Sequence, residues 1–423
     1  VYFEGGDQMK LFRMFTGFIL IMALMATSAM AKNTIIMIPD GCDQAIVTLS
    51  RWYKGAPLTL DTMQYKGSVM THMMGSVITD SAAAATAFST GYKTSDGFIG
   101  MGPSSDYLLS NQDVPPVWLQ YRPLPTILEA AKFSGKAVGL VATSRITHAT
   151  PAAYAAHKSS RNDENGIMEN IVYQNPDVVF GGGKRHLLPT NMGGKRTDGE
   201  DLLSVLTSKG VTVVENTADM LDLTNTPAWG MFASSHMAAH IDRDPIKEPS
   251  IAEMTEKAIE LLSADPDGFL LVVEGSQVDW AGHANDAIHM ITDMIAFDEA
   301  VQKAIDFAET DGNTHVIVFP DHNTGGIKIG NNNSDNAYTA ISIEDITDPL
   351  QGMTATSGVV AGASNNCASA EDVLNAVTKY WPNIPLTLDQ AQEAVDMVPE
   401  VGYCNNAINR VVNKHHTYFG WTT

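Results

Sequence analysis

Four largely apolar runs, each leading into polar residues, constrain this chain more than any other feature. They are Asn33-Thr34-Ile35-Ile36-Met37-Ile38, Ala137–Ala142, Phe269–Val273 and Thr314–Phe319. A run that is apolar at nearly every position, rather than at every second one, suits a strand covered on both faces, as in a parallel sheet flanked by helices. Asp177–Phe180 and Val211–Val214 read as further strands, and Thr126–Phe133 and Ser250–Ala264 as helices. The expected fold is therefore α/β: a three-layer sandwich with a largely parallel central sheet flanked by helices. The polar stretch from about 327 to 416 is expected to be a surface insertion, a crown or cap over the sheet. In such folds the loops leaving the C-terminal strand ends converge, and ligands collect there.

The rest of the chain bounds its class. With 423 residues, 44% hydrophobic and 17% charged, it has the composition of a globular protein and no signature of disorder. Val1 to Gln8 read as an upstream remnant. Met9-Lys10-Leu11-Phe12-Arg13, the apolar Met14 to Met25 and Ser28-Ala29-Met30-Ala31 form a basic, apolar and small-residue series, so residues 1–31 are expected to end in a signal peptide. A stable membrane anchor is the competing reading, disfavoured because the apolar run is shorter than the roughly 20 residues that span a bilayer. A periplasmic or secreted protein follows, and residues 32–423 are left as one catalytic domain. The formal charge of −22 argues against binding a nucleic-acid backbone. In an oxidising compartment Cys367 and Cys404 could pair, whereas Cys42 reads as a small buried side chain.

The polar residues at the strand exits carry the chemistry. Thr79-Asp80-Ser81 stands directly before Ala82-Ala83-Ala84-Ala85, so a helix begins there, and its free N–H groups would hold an anion beside the Ser81 hydroxyl. Asp40 follows the first run, His148-Ala149-Thr150 the second, and Glu274, Asp279 and His283 the third; Asp321-His322 follows the fourth. Asp279 and His283 are four apart and share a helix face, a common way to grip a metal. Carboxylate, imidazole and hydroxyl donors suit zinc and magnesium better than thiolate-loving metals. With a serine at a helix start they imply phosphoryl transfer. Gly181-Gly182-Gly183-Lys184 is discounted as a phosphate loop, because no Ser/Thr and helix follow the lysine.

Taken in order, Pro39-Asp40-Gly41, Thr79-Asp80-Ser81-Ala82-Ala83, His148-Ala149-Thr150-Pro151, Ser160-Arg161, Glu274 through His283 and Asp321-His322-Asn323-Thr324-Gly325-Gly326 resemble the alkaline phosphatase family from about Asn33 onward. The resemblance implies hydrolysis of small phosphate monoesters with two zinc ions and one magnesium ion. Ser81 would be the nucleophile, forming a phosphoserine, and Arg161 the phosphate clamp, with Arg145 the alternative. Asp279 and His283 would hold the first zinc, Asp40, Asp321 and His322 the second, and Asp40, Thr150 and Glu274 the magnesium. His148 stands where some members carry aspartate and Trp280 where lysine or histidine is common, so the surroundings of the third metal and the substrate's water contacts differ. The motif beginning Gly420-Trp421-Thr422-Thr423 breaks off before the histidine that completes the first zinc site, and the chain is expected to be C-terminally truncated. A phosphodiesterase or sulfatase relative and a non-catalytic metal-binding remnant are the alternatives. A homodimer is possible, since the family often forms one.

Overall fold

The computed structural model describes residues 32–106, 108–110, 112–334 and 338–422, so the expected signal peptide lies outside the described residues. Seven strands form one parallel sheet: β1 (Asn33–Pro39), β2 (Ala137–Arg145), β3 (Val178–Gly182), β4 (Thr212–Val214), β5 (Ala228–Ala233), β6 (Phe269–Gly275) and β7 (Thr314–Val318). Their spatial order is β4-β5-β3-β2-β6-β1-β7. β2, β6 and β1 occupy the centre, which accounts for their unbroken apolar sequences. Along β1, Ile35 and Met37 face one apolar cluster while Ile36 and Ile38 face another, so both faces of the sheet are covered by helices.

Strand register places the chemistry. Ile38 and Ala142 both lie opposite Glu274, and Pro39 lies opposite Gly275. Asp40 and Glu274 therefore leave adjacent strands at one level. The turn after β1 needs a glycine: Gly41 has φ +71°, and a Cβ there would stand 2.7 Å from the Cα of Asp279.

The span 327–416 is largely helical, with helices at Ile343–Thr347, Ser357–Ala363, Ala370–Tyr380, Leu388–Val401 and Cys404–His416. A short antiparallel pairing of Lys328–Ile329 with Phe419–Gly420 closes it. Its apolar residues, among them Val377, Trp381, Ile408 and Val411, are continuous with the larger core cluster on one face of the sheet, so this part does not lie apart from the core as its polarity suggests. Cys367 and Cys404 form a disulfide, and Cys42 is free and buried.

Candidate active site

Asp80 caps the Ser81–Thr90 helix by accepting the Ala83 N–H at 2.9 Å. Ser81 is the first residue of that helix and is buried, with its Oγ 3.2 Å from Nε2 of His322. The second oxygen of Asp80 accepts from Arg161 Nη1 at 3.0 Å and from the Gly97 N–H at 3.3 Å. One carboxylate thus both starts the helix and holds the arginine beside it.

Asp40, Glu274 and Asp321 are fully buried. Glu274 accepts from the Ser144 hydroxyl at 3.1 Å, Asp321 from the N–H groups of Gly41 and His322 at 3.1 and 3.0 Å, and Asp40 lies 3.5 Å from the Thr150 hydroxyl. Asp40 Oδ1, Glu274 Oε1 and Asp321 Oδ2 have no hydrogen-bond partner. Asp279 is buried as well and accepts from the Thr324 hydroxyl at 2.5 Å. His322 Nε2 lies 3.3 Å from Asp321 and 3.6 Å from Asp40.

Burial, reinforced by the charges of Asp321, Asp279 and Glu274, raises the Asp40 carboxyl well above its ordinary range. Burial pushes Glu274 up to about 7 and raises Asp321 as well. Buried acids with unpaired oxygens are costly unless protonated or bound to a cation. The donor set, carboxylates with imidazole and hydroxyl, fits divalent ions that take oxygen and nitrogen ligands. Two groups of donors lie tight enough for one ion each: Asp40 with Asp279 and His322, and Asp40 with His148 and Glu274.

The residues expected from the sequence thus gather here, with some regrouping. Asp279 falls beside Asp40 and His322 in one of these groups, whereas the resemblance divided it from them. His283 sits at the rim, its side chain 70% exposed and its Nε2 3.5 Å from Asp279. His148, expected only near the third metal, is itself a potential donor there, and Arg161 Nη2 lies 3.2 Å from its Nε2. Trp280 packs against the rings of His148 and His236. Arg145, the alternative clamp, is paired at two points with Glu164. Sequence reasoning did not single out Ser144, Thr324 or His236, nor the bond from Asp80 to Arg161. Thr324 lies within a marked segment and Ser144 just beyond a marked strand, while His236 carried no signal.

A buried serine at a helix start, facing a shared set of cation-binding donors at the C-terminal edge of a parallel sheet, defines a metal-dependent hydrolase site. The family model "Alkaline phosphatase" matches residues 31–396. Alkaline phosphatase 3 of Bacillus subtilis (strain 168) is 34% identical over 412 residues, covering 93% of this chain and 81% of that protein. The crystal structure of Thermus thermophilus alkaline phosphatase superposes with a TM-score of 0.80 at 28% identity, over 93% of this chain and 83% of that one. A variant of the TAB5 alkaline phosphatase with a histidine replaced by glutamate, which holds magnesium in a site called M3, superposes with a TM-score of 0.60 at 31% identity, over 71% of this chain and 80% of that one. The chain belongs to the alkaline phosphatase family.

Proposed function

We propose that this protein hydrolyses phosphate monoesters through a phosphoserine on Ser81, with zinc at two positions and magnesium at a third. The observation that carries the reading is the placement of the buried Ser81 hydroxyl at a helix N-terminus, 3.2 Å from His322 and among carboxylates with unpaired oxygens. Asp279 and His283 would hold one zinc, and Asp40, Asp321 and His322 the other. Asp40, Thr150 and Glu274 would hold magnesium, with His148 close enough to join them; the TAB5 variant with magnesium in its M3 site supports that ion for the third position. When bound, such ions lower the pKa of a hydroxyl and neutralise charge on oxygens that gain it.

The chain's own groups supply orientation. The free N–H groups of the Ser81–Thr90 helix and the positive end of its dipole point at the phosphoryl oxygens. Arg161 clamps two of those oxygens and is kept in place by Asp80 and His148. Ser81 Oγ attacks phosphorus as the bond to the alcohol oxygen breaks, and the alcohol leaves with a proton. Water then attacks the phosphoserine, releasing inorganic phosphate and restoring the hydroxyl. The Cys367–Cys404 disulfide supports an oxidising compartment, periplasmic or extracellular. Among the described residues no helix is long and apolar enough to cross a membrane.

The test is a panel of a chromogenic aryl phosphate, the corresponding diester and the sulfate, each with zinc and magnesium and after chelation. Turnover of the monoester alone, lost on chelation and reduced on the order of 10⁴-fold in Ser81→Ala, is expected. Diester or sulfate turnover of comparable rate, or a phosphate adduct mapped to another residue, would overturn the reading.

A further inference from the structure

Beside Arg161, His148 stands in a cluster of three rings, and the proposed chemistry gives the other two, Trp280 and His236, no role. Trp280 and His236 meet at a centroid distance of 4.1 Å, nearly edge to face, and His148 lies 5.5 Å from each. His148 Nε2 accepts from Arg161 Nη2 at 3.2 Å, while its Nδ1 has no hydrogen-bond partner. Besides the bond to Arg161, the His148 ring is steadied by packing against its two aromatic neighbours.

His236 is the fixed member of this cluster. Arg145, at the end of β2, is locked by Glu164 through Nε and Nη2 at 2.6 and 2.8 Å, and Glu164 also takes the Thr147 hydroxyl at 2.6 Å. The backbone N–H of Arg145 donates to His236 Nδ1 at 3.1 Å, and its guanidinium contacts the other ring nitrogen. The ring thus transmits the rigidity of a strand end and an ion pair to Trp280 and His148.

We propose that His236 is a positioning residue for the phosphate clamp: it holds Trp280 and His148 where His148 accepts from Arg161, so the guanidinium is held on both sides, by Asp80 and by His148. This rests on Arg161 being the clamp. An arginine fixed at two points loses little further freedom when it grips a phosphoryl group, whereas a loosened one must be ordered on binding.

Steady-state kinetics on an aryl phosphate, inhibition by inorganic phosphate and thermal unfolding would be measured on the metal-loaded protein and its variants. His236→Ala is expected to raise KM and the phosphate inhibition constant together, roughly tenfold, the low end of what a lost charge-assisted hydrogen bond costs. His236→Phe restores a ring and should return both constants near their original values, even though the Arg145 N–H loses its acceptor and the melting temperature falls. His236→Asn keeps a polar acceptor without the ring and should resemble His236→Ala. Val377→Ala, a buried change in the Ala370–Tyr380 helix, should lower the melting temperature without moving either constant. The inference fails if His236→Ala leaves both constants unchanged while Arg161→Ala weakens phosphate inhibition. It also fails if asparagine rather than phenylalanine restores them, or if Val377→Ala shifts them as much. An Arg161→Ala variant with unchanged phosphate inhibition would instead remove the clamp assignment, and this inference with it.

Discussion

Asp40, Glu274 and Asp321 leave three neighbouring parallel strands, whereas Asp279 and His283 ride on the Gln277–Ala284 helix behind them. All three acids are fully buried: Asp40 and Glu274 are held by the register of β1 and β6, and Asp321 by the N–H groups of Gly41 and His322. The helix ends instead in carbonyls that lean on another part of the chain. Asn406 donates to the His283 carbonyl at 3.2 Å, Asn409 to that of Ala284 at 2.7 Å and Asn413 to that of Asn285 at 3.0 Å. These asparagines share one face of the Cys404–His416 helix, whose first residue is the disulfide partner of Cys367. One half of the site is thus fixed by paired strands, and the other by the buried Val278 and Ala281 of its helix together with a few polar contacts to a disulfide-linked segment.

The largest expected effect comes from the residue common to both donor groups. Asp40→Asn should cost more than the roughly 10–100-fold typical of losing a group outside the ligand set. It should also lower metal content at both positions that Asp40 would share at once. Loss at one of these, with the other filled, would show that they do not share Asp40. Elemental analysis beside turnover decides it.

Removing the covalent link should act on the helix half alone. The disulfide closes a loop with a sequence separation of 37 residues, for which chain entropy predicts about 3–4 kcal/mol of stability. Cys404→Ser should lower the melting temperature accordingly and make the metal near Asp279 and His283 the first to leave on chelator titration. Uniform loss of all metals would mean that the halves are equally braced.

How much of this was legible in the sequence follows the same division. Strand exits announce themselves because an apolar run must stop where the chain turns to solvent, and Asp40, Glu274 and Asp321 all follow such stops. β5 went unread: Ala228–Ala233 is short and carries a central glycine, so it does not look like a strand, and the loop leaving it carries His236. Missing the strand meant missing the residue. The asparagines of the Cys404–His416 helix read as a polar surface, since a sequence shows that a side chain can donate but not which carbonyl it meets. The helix start at Asp80-Ser81 was legible, but not that the second oxygen of Asp80 meets Arg161.

Glu274 separates electrostatic cost from structural role within the strand-borne half. Its pKa rises from 4.5 to about 7 on folding in the metal-free protein, so between those values the folded chain binds more protons than the unfolded one and stability falls as pH rises. Glu274→Gln removes that dependence. The metal-free variant should be more stable than the metal-free parent by an amount that grows from near zero below pH 4.5 to at most about 3 kcal/mol above pH 7. A comparison of unfolding midpoints at pH 4 and pH 8 would show it, and a difference independent of pH would mean that the carboxylate is not destabilised by burial.

The smallest effect, and the finest test of the comparison, concerns Asn409. Its amide is buried and donates both to the Ala284 carbonyl and to the Ser357 hydroxyl at 2.9 Å, and the Ser357 N–H in turn donates to Asp286 at 2.6 Å. Asn409 thus ties the end of the Gln277–Ala284 helix, and the cap of the Ala287–Asp311 helix that follows, to the disulfide-linked segment. Asn409→Ala leaves the part-buried Ala284 carbonyl and the buried Ser357 hydroxyl without their donor, which costs about 1–3 kcal/mol. Because Asp40, Glu274 and Asp321 make no contact with this chain of bonds, their ion should be retained and KM unchanged. Chelation should release the ion near Asp279 and His283 sooner than in the parent. Asn409→Leu in the same assay loses the amide donor at similar size and should behave like alanine, so a leucine variant indistinguishable from the parent would show that packing, and not the hydrogen bond, steadies this half of the site.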